Sequence, residues 1–207
     1  MRILLTAFEP YDQWSENSSW LALVELLKHR PTNLELITRR YPVHLQRMQE
    51  KLLEDLSKPL DAVLHLGQSP GASAVKLESV ALNIAGCLEE QGSELPCLID
   101  AAPLAYRSTF PVGLCADRLK EHQIPALISY NAGTFLCNAT LYLSLHQMVS
   151  AGASTQVGFM HLPLATEQVA RENLNLPSLP ISTLATAVYS ILDVLASASK
   201  TAGEQVA

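Results

Sequence analysis

Cys137 lies where a nucleophilic thiol is expected. Residues 129–133 pass from an apolar strand pattern into a glycine turn, and Cys137 falls in the first turn of the helix predicted over residues 135–151. Unpaired backbone N–H groups and the positive end of the helix dipole favour a thiolate there. The same N–H groups could hold a developing oxyanion. The alternative is a packing cysteine, since cysteines are often buried and Leu141 lies one turn further along.

A nucleophilic thiol needs a base, and His161 is the candidate among the six histidines. It ends the strand predicted over residues 155–161, and Pro163 stops that strand. This places an imidazole at the sheet edge where Cys137 is also expected. The alternative is a histidine that merely ends the strand. His65, inside an apolar strand pattern, is predicted to be a core histidine.

Glu78 completes a possible triad. Residues 75–85 alternate as a strand, which would put Glu78 on the same face as Val80 and Leu82. A carboxylate in an apolar row is costly to bury unless it is paired. An imidazolium at His161 would pair with it and be oriented by it. The alternative is an exposed strand end on which Glu78 is solvated.

A competing serine motif lies at residues 67–71, which match the pattern G-x-S-x-G of a nucleophile elbow with Ser69 as nucleophile. The elbow requires the residue after the serine to donate its backbone N–H, but Pro70 has none. Residues 72–75 also run into a strand pattern rather than a helix. A serine hydrolase that uses Ser69 is therefore the weaker alternative.

Strand and helix patterns alternate along the chain. Strands are predicted at residues 2–8, 34–43, 61–67, 75–85, 125–130 and 155–161, and helices at 20–29, 44–57, 111–122, 135–151 and from 182 onward. This order predicts one α/β domain over residues 1–207, a three-layer sandwich whose twisted, mostly parallel mixed sheet has helices on both faces. Such sheets bind ligands beyond their strand ends, here in the loops after Gly67, Tyr130 and His161.

Composition narrows the class of protein. The chain has 207 residues, 48% of them apolar and 16% charged, with a net charge of -6, so we expect neither disorder nor a nucleic-acid partner. No signal-peptide pattern opens the sequence, and Asp193 interrupts the last apolar stretch, so we expect no membrane partner. The four cysteines lack zinc spacing, so we expect no metal, and without an export signal we expect reduced thiols in the cytoplasm. Only in a secreted chain would a pair between Cys87 and Cys97 be expected.

Five segments together resemble pyroglutamyl peptidase I, the pyrrolidone-carboxylate peptidase family, and the resemblance covers most of the chain. The segment around the cysteine, Thr-Phe-Leu-Cys-Asn, resembles the family's nucleophile motif, and Gly-Phe-Met-His-Leu-Pro resembles its histidine motif. The five segments are residues 5–11, 17–20, 77–84, 134–138 and 158–163.

The resemblance implies removal of N-terminal pyroglutamyl residues from peptides without a metal or cofactor. Cys137 would attack the acyl carbonyl, His161 would transfer the proton, and Glu78 would fix the tautomer of the histidine. Family members are often tetramers, so a homo-oligomer, tetramer or dimer, is expected. The resemblance also implies a pocket for the flat pyrrolidone ring, lined by Phe8, Tyr11, Gln68, Phe135 and Leu136.

Several positions depart from the family pattern. Ala7 stands in place of a glycine, Asp12 and Gln13 replace a Gly-Gly turn, and Ala72 and Ser79 replace arginines. Residues 86–103 have little regular pattern, although this region helps to close the family's pocket. These departures motivate a second hypothesis, a catalytically weak relative that binds a small ligand or partner in the same crevice.

Overall fold

A six-stranded mixed sheet forms the centre of the protein. The computed structural model describes residues 1–29, 31–86 and 94–204, with side chains described up to residue 197. The strands are β1 (Arg2–Phe8), β2 (Glu35–Tyr41), β3 (Ala62–Gln68), β4 (Val75–Glu78), β5 (Val80–Leu82), β6 (Ala105–Arg107), β7 (Ala126–Ser129), β8 (Gln156–Leu162), β9 (Leu164–Ala165) and β10 (Ser178–Leu179). The helices are α1 (Ser18–Lys28), α2 (Leu45–Leu56), α3 (Val112–Glu121), α4 (Leu136–Ser150), α5 (Thr166–Arg171) and α6 (Ile181–Glu204).

The strand order of the main sheet is β2-β1-β3-β8-β4-β7. Strands β2, β1, β3 and β8 run parallel, whereas β4 pairs antiparallel to β8 and β7 runs parallel to β4. The carboxyl ends of β1, β3 and β8 therefore meet at one edge, which is where α/β sheets place their ligands. Strand β4 enters the sheet from that same edge, and its Lys76 pairs with His161 of β8.

Helices cover both faces of this sheet. On one face α1, α3 and α6 bury a cluster that includes Leu23, Leu119 and Leu192. On the other face α2 and α4 bury Met48 and Tyr142 against the sheet. Fully burying side chains of this size contributes about 1.5–3 kcal/mol each, so the layers are held mainly by apolar contact. The predicted three-layer α/β architecture is confirmed.

Local signals explain where the helices begin. The side chain of Asn17 caps α1 by accepting a hydrogen bond from the backbone N–H of Ser19 at 3.0 Å. Pro111 directly precedes α3, where its missing N–H costs no helical hydrogen bond. The predicted helices agree with the observed ones to within two residues at their described ends.

One strand prediction is wrong. Residues 75–85 form two strands that belong to different sheets, β4 in the main sheet and β5 paired with β6. The break is at Ser79, whose N–H donates to the carbonyl of Ser129 at 2.7 Å and whose own carbonyl accepts from Ser108 N at 3.0 Å. Glu78 therefore does not share a strand face with Val80 and Leu82. Tertiary pairing ends the strand although the alternating pattern continues.

Short elements close the remaining loops. Strands β6, β9 and β10 and helix α5 have no counterpart in the sequence-based prediction, because these strands have only two or three residues and the helix has only six. An irregular stretch was expected at residues 86–103. Its residues 94–103 contain no helix or strand, and its residues 87–93 lie outside the described residues. Within the described chain no helix is long and apolar enough to cross a membrane. The described side chains also include no group of three or more that could hold a metal ion.

Candidate active site

Glu78 and His161 form a buried pair on neighbouring strands. Oε1 of Glu78 lies 2.7 Å from Nδ1 of His161, and Glu78 is fully buried. The alternative of a solvated Glu78 is therefore wrong. Because Nδ1 faces the carboxylate, Nε2 is the ring nitrogen left for chemistry. Oε2 of Glu78 is buried without a hydrogen-bond partner among the described residues.

Cys137 is the second residue of helix α4, as the sequence predicts. The helix begins at Leu136, and its first backbone bond runs from Ala139 N to Phe135 O at 3.0 Å. The N–H groups of residues 136–138 therefore precede the helical hydrogen-bond ladder. Phe135 provides no side-chain cap for them. Backbone donors thus surround a half-buried thiol.

The sulfur of Cys137 lies over the end of strand β3. A Cβ atom built on Gly67 would be 3.0 Å from Sγ of Cys137 and 2.7 Å from the ring of Phe159. Gly67 pairs in register with His161 on the adjacent strand, and parallel partners point to the same face. The ring of Phe159 also packs against His161, with 4.7 Å between centroids. The thiol and the imidazole are therefore neighbours across one glycine.

The electrostatics of His161 depend on this proximity. Burial by itself lowers the pKa of His161, but the charge of Cys137 and its hydrogen bond with the ring act in the opposite direction, as does Glu78. Together, the charges and hydrogen bonds of Cys137 and Glu78 outweigh burial and raise the pKa of His161 to about 9. An imidazolium facing a thiolate is the resting state that cysteine hydrolases use.

Comparison with known proteins identifies the family. The family model described as "Pyroglutamyl peptidase" matches residues 1–198. The pyrrolidone-carboxylate peptidase of Thermococcus onnurineus is 34% identical over 198 residues, which cover 93% of this chain and 97% of that protein. The chain belongs to the pyroglutamyl peptidase family. Its members are cysteine omega-peptidases.

Solved structures of pyroglutamyl peptidases agree with this fold. The pyrrolidone carboxyl peptidase of Fervidobacterium islandicum AW-1 superposes with a TM-score of 0.87 at 34% identity and covers 95% of this chain and 99% of that chain. A mutant of the Pyrococcus furiosus pyrrolidone carboxyl peptidase gives a TM-score of 0.87 at 30% identity with the same coverage. The likeness extends over 95% of the chain in both comparisons.

Asn138 secures the helix that carries the cysteine. Its Oδ1 accepts from Leu82 N at 2.8 Å, and its Nδ2 donates to the carbonyls of Leu82 at 2.9 Å and Ile84 at 3.2 Å. Asn138 is buried. In the sequence this residue stands out only as the last member of the nucleophile motif, which predicts no separate role for it. The signal was a polar amide beside the thiol at the start of an otherwise apolar helix.

Tyr11 and Gln68 lie beside the thiol. Burial and, to a smaller extent, the charges of Cys137 and Asp12 raise the pKa of Tyr11 to about 12, although the side chain of Gln68 acts in the opposite direction. Asp12 adopts φ +52°, the left-handed conformation that a glycine would take, so the turn survives the departure from the Gly-Gly pattern. Trp14 N closes this turn on Tyr11 O at 3.0 Å.

Hydrogen bonds fix the orientation of Gln68. Its Oε1 accepts from Ser18 N at 2.7 Å and from Gln168 Nε2 at 3.1 Å. Nε2 of Gln68 must then point the other way, and it makes no hydrogen bond of 3.5 Å or less among the described residues, although it is close enough to the Tyr11 hydroxyl to lower the pKa of that group. Gln168 also accepts from Ala165 N at 2.9 Å, so it joins this loop to the strand end. A donor without an acceptor near the thiol is a feature that a ligand could satisfy.

The three other predicted pocket residues differ in exposure. Phe8 is buried in an aromatic cluster, 6.5 Å from the ring centroids of both Tyr41 and Phe159. Leu136 is also buried and packs into the core beneath α4. Phe135 is half-buried and packs against the edge of the same cluster. Phe135 therefore has the most freedom to contact a ligand.

Ser69 does not have the geometry of a nucleophile elbow. Residues 69–72 form a tight turn in which Ala72 N donates to Ser69 O at 3.1 Å, with Pro70 second and Gly71 third at φ +80°. This arrangement is a type II turn, which only glycine adopts easily at the third position. The chain continues into β4 instead of a helix. The serine-hydrolase hypothesis lacks its structural basis.

His65 is a structural residue, as predicted. It is fully buried, and its ring nitrogens lie 2.7 Å from Thr6 Oγ1 and 2.9 Å from Ser144 Oγ. Burial lowers its pKa to about 3, so the ring is neutral. It links β1, β3 and α4 behind the site.

Proposed function

We propose that this protein removes N-terminal pyroglutamyl residues from peptides by nucleophilic catalysis with Cys137, His161 and Glu78. The observation that carries the proposal is the position of the Cys137 sulfur over Gly67, directly beside the buried pair of His161 and Glu78. Nucleophile, base and orienting acid follow one another in the order that covalent hydrolysis requires.

The reaction proceeds in two halves. The Cys137 thiolate attacks the acyl carbonyl of the pyroglutamyl residue, and the backbone N–H groups at the start of α4 stabilise the oxyanion. His161 gives its Nε2 proton to the amine of the departing peptide, which leaves a thioester on Cys137. Water then attacks the thioester while His161 takes up a proton, and this step releases pyroglutamate and restores the thiolate–imidazolium pair. Glu78 holds the ring in the orientation both halves need.

The same proposal assigns the substrate pocket to Phe8, Tyr11, Gln68, Phe135 and Leu136. The unpartnered Nε2 of Gln68 is a buried donor that suits the lactam carbonyl of the substrate. Tyr11 and Phe135 offer flat apolar surface for the ring, while Phe8 and Leu136 support the pocket from within the core. An apolar slot with one directed donor matches a neutral five-membered lactam.

We further propose that residues 1–207 act as one hydrolytic domain, in the cytoplasm and as a homo-oligomer. Both core clusters pack against the same sheet, which supports a single unit. Cys97, Cys115 and Cys137 are free thiols, which suits a reducing compartment, while Cys87 lies outside the described residues. Exposed apolar side chains such as Leu114 and Tyr130 offer surface for subunit contacts. Light scattering of the purified protein measures the oligomeric state, and cell fractionation tests the location in the cytoplasm.

Matched substrates test the proposed function. A fluorogenic pyroglutamyl amide is compared with the corresponding prolyl amide, which has the same ring without the lactam carbonyl. We expect turnover of the pyroglutamyl amide and a rate at least about 10³-fold lower for the prolyl amide, because the latter leaves the buried donor of Gln68 unpaired. Folded protein that binds pyroglutamyl peptides without cleaving them would instead support a binding protein.

A further inference from the structure

Lys76 places a positive charge at the edge of the proposed active site. It pairs in register with His161 across the antiparallel strands β4 and β8, and directly opposed residues point to the same face. Glu78 lies two residues further along β4 and therefore also shares that face. The side chain of Lys76 is half-buried. This cation thus lies on the same face of the sheet as the hydrogen bond between Glu78 and His161, directly opposite His161.

Ser69 holds the ammonium group in place. Nζ of Lys76 donates to Oγ of Ser69 at 3.2 Å. Ser69 directly follows β3, two residues beyond Gly67, and its N–H is fixed to Leu162 O at 2.8 Å. To reach Ser69 from β4, the lysine side chain must cross the end of β8, which lies between the two strands. Nζ is therefore held over the carboxyl end of the strand that carries His161.

The charge of Lys76 is not neutralised within the described residues. Across the side chains described in residues 1–29, 31–86 and 94–197, no carboxylate lies within 4 Å of Nζ. Ser69 is neutral, so it orients the ammonium group without compensating its charge. A half-buried, oriented cation of this kind is suited to bind an anion.

The order of the strands shows which part of the substrate would meet this cation. Tyr11 and Gln68, which we assign to the pyrrolidone pocket, follow β1 and end β3, while Cys137 lies over β3. His161 on β8 comes next, and Lys76 on β4 lies beyond it. Because His161 protonates the departing amine, the departing peptide extends from β3 towards β8 and β4. Lys76 therefore lies on the leaving-group side.

The distances are compatible with the first residue after the scissile bond. Two residues of extended chain separate Gly67 from Ser69, a span of about 7 Å. The main-chain carboxylate of a pyroglutamyl dipeptide lies about 4 Å from the scissile carbonyl carbon, and a hydrogen bond to an ammonium group adds about 3 Å. An acidic side chain on that residue reaches a similar distance.

From this arrangement we propose that Lys76 and Ser69 form an anion-binding subsite for a carboxylate on the residue that follows pyroglutamate. The inference rests on the proposed function, since it presumes that a pyroglutamyl peptide occupies the site. It adds a preference among peptides: substrates with a carboxylate at this position are cleaved faster than their amides. The carboxylate has two sources, the C-terminus of a dipeptide or an acidic side chain.

Two substrate pairs distinguish these sources. Pyroglutamyl-alanine is compared with its C-terminal amide, and pyroglutamyl-glutamate amide with pyroglutamyl-glutamine amide. For wild type we expect kcat/KM to favour the carboxylate in at least one pair by roughly five- to twentyfold, as for a hydrogen bond to a charged group. Added sodium chloride reduces this ratio, because the subsite is open to solvent.

Variants assign the preference to Lys76. In Lys76→Met we expect the kcat/KM ratio of the carboxylate substrate to its amide to fall to near one. In Ser69→Ala the ratio should fall only part of the way. Both expectations hold whatever the rate on the uncharged amide. Lys120→Met is the matched control, since Lys120 is exposed on α3 and on the opposite side of the sheet, and it keeps the wild-type ratio.

The outcomes separate the two proposals. Wild type that cleaves the amides but shows no preference for either carboxylate overturns the anion subsite and leaves the proposed function intact. A preference that persists in Lys76→Met also overturns the subsite. Folded wild type that cleaves none of the four peptides overturns both. If Lys76→Met does not fold, the salt dependence of wild type is the test. A kcat/KM ratio between carboxylate and amide substrates that does not change with sodium chloride overturns the charge-based subsite.

Discussion

Gly67 and Cys137 approach each other so closely that a Cβ atom on Gly67 would lie 3.0 Å from the cysteine sulfur. The same atom would lie 2.7 Å from the ring of Phe159, so the strand cannot move aside without displacing the aromatic cluster. Because Gly67 has no side chain, the sulfur can lie close to the backbone of strand β3, next to His161. The absence of a side chain at residue 67 is thus a condition for the geometry of the site.

Gly67→Ala is expected to impair both catalysis and folding. The added methyl group should cost about 1–3 kcal/mol of stability through overpacking. A displacement of the sulfur by about 1 Å should lower kcat by up to about 10²-fold. The measurements are urea unfolding and steady-state kinetics on a pyroglutamyl amide at a temperature where the variant is folded. Gly113→Ala is the control, because nothing lies within 4 Å of its Cβ position and neither quantity should fall. Wild-type kcat in Gly67→Ala would contradict the proposed contact.

The pH dependence of activity should report the proton on His161. Burial favours the neutral ring, but Cys137 and Glu78 raise the pKa of His161 to about 9. The imidazolium therefore persists below about pH 9, and kcat/KM falls as the pH rises through that value. Glu78→Gln removes one of the interactions that raise the pKa, so the basic limb moves to lower pH. Glu121→Gln, an exposed change on α3, leaves the limb in place. An unchanged limb in Glu78→Gln would argue against the pair.

Iodoacetamide should alkylate Cys137 faster than the other cysteines. Cys137 is half-buried at the start of a helix and interacts with His161. Cys115 is fully buried, and burial raises its pKa to about 12, so it should react slowest. Cys97 is exposed and does not lie in a helix, and Cys87 is also expected to react more slowly than Cys137. Peptide mapping over a time course measures the rates. Equal rates at Cys137 and Cys97 would contradict an activated thiolate.

Asn138→Ala tests the attachment of the catalytic helix. The change removes three hydrogen bonds to the backbone of residues 82 and 84 and leaves buried groups unpaired, which should cost about 2–3 kcal/mol. Asn33→Ala, at an exposed position, should stay within about 0.5 kcal/mol of wild type. Urea unfolding measures both, and kcat of folded Asn138→Ala should fall because Cys137 is the preceding residue. Equal stability of the two variants would show that the three bonds are not important.

Much of this fold could be predicted from the sequence because its elements follow local patterns. Strands β1, β3 and β8 are apolar runs, and α1 has a cap at Asn17. The proximity of Cys137 to His161 followed from a general rule, that loops after parallel strands meet at one edge. Glu78 was selected because a carboxylate in an apolar strand needs a partner, although the strand face that it was expected to share with Val80 and Leu82 is broken at Ser79.

What sequence patterns could not supply depends on tertiary contacts. The break at Ser79 arises from hydrogen bonds to Ser129 and Ser108, which are distant in sequence. The link between Lys76 and Ser69 exists because β4 runs antiparallel to β8, and strand direction is not encoded in an alternating pattern. The bonds of Asn138 to residues 82 and 84 likewise join segments more than fifty residues apart.

Whether Cys137 is the nucleophile for pyroglutamyl amides is decided by comparing turnover by wild type with turnover by variants that each lose one thiol or hydroxyl group. Release of the fluorogenic amine is measured for wild type, Cys137→Ala, Cys97→Ala and Ser69→Ala, each confirmed to be folded by circular dichroism. We predict that Cys137→Ala has no activity above background, that Cys97→Ala, which alters an exposed thiol, matches wild type, and that Ser69→Ala still turns over substrate. Activity that survives in Cys137→Ala and disappears in Ser69→Ala would contradict the account and assign the chemistry to the serine.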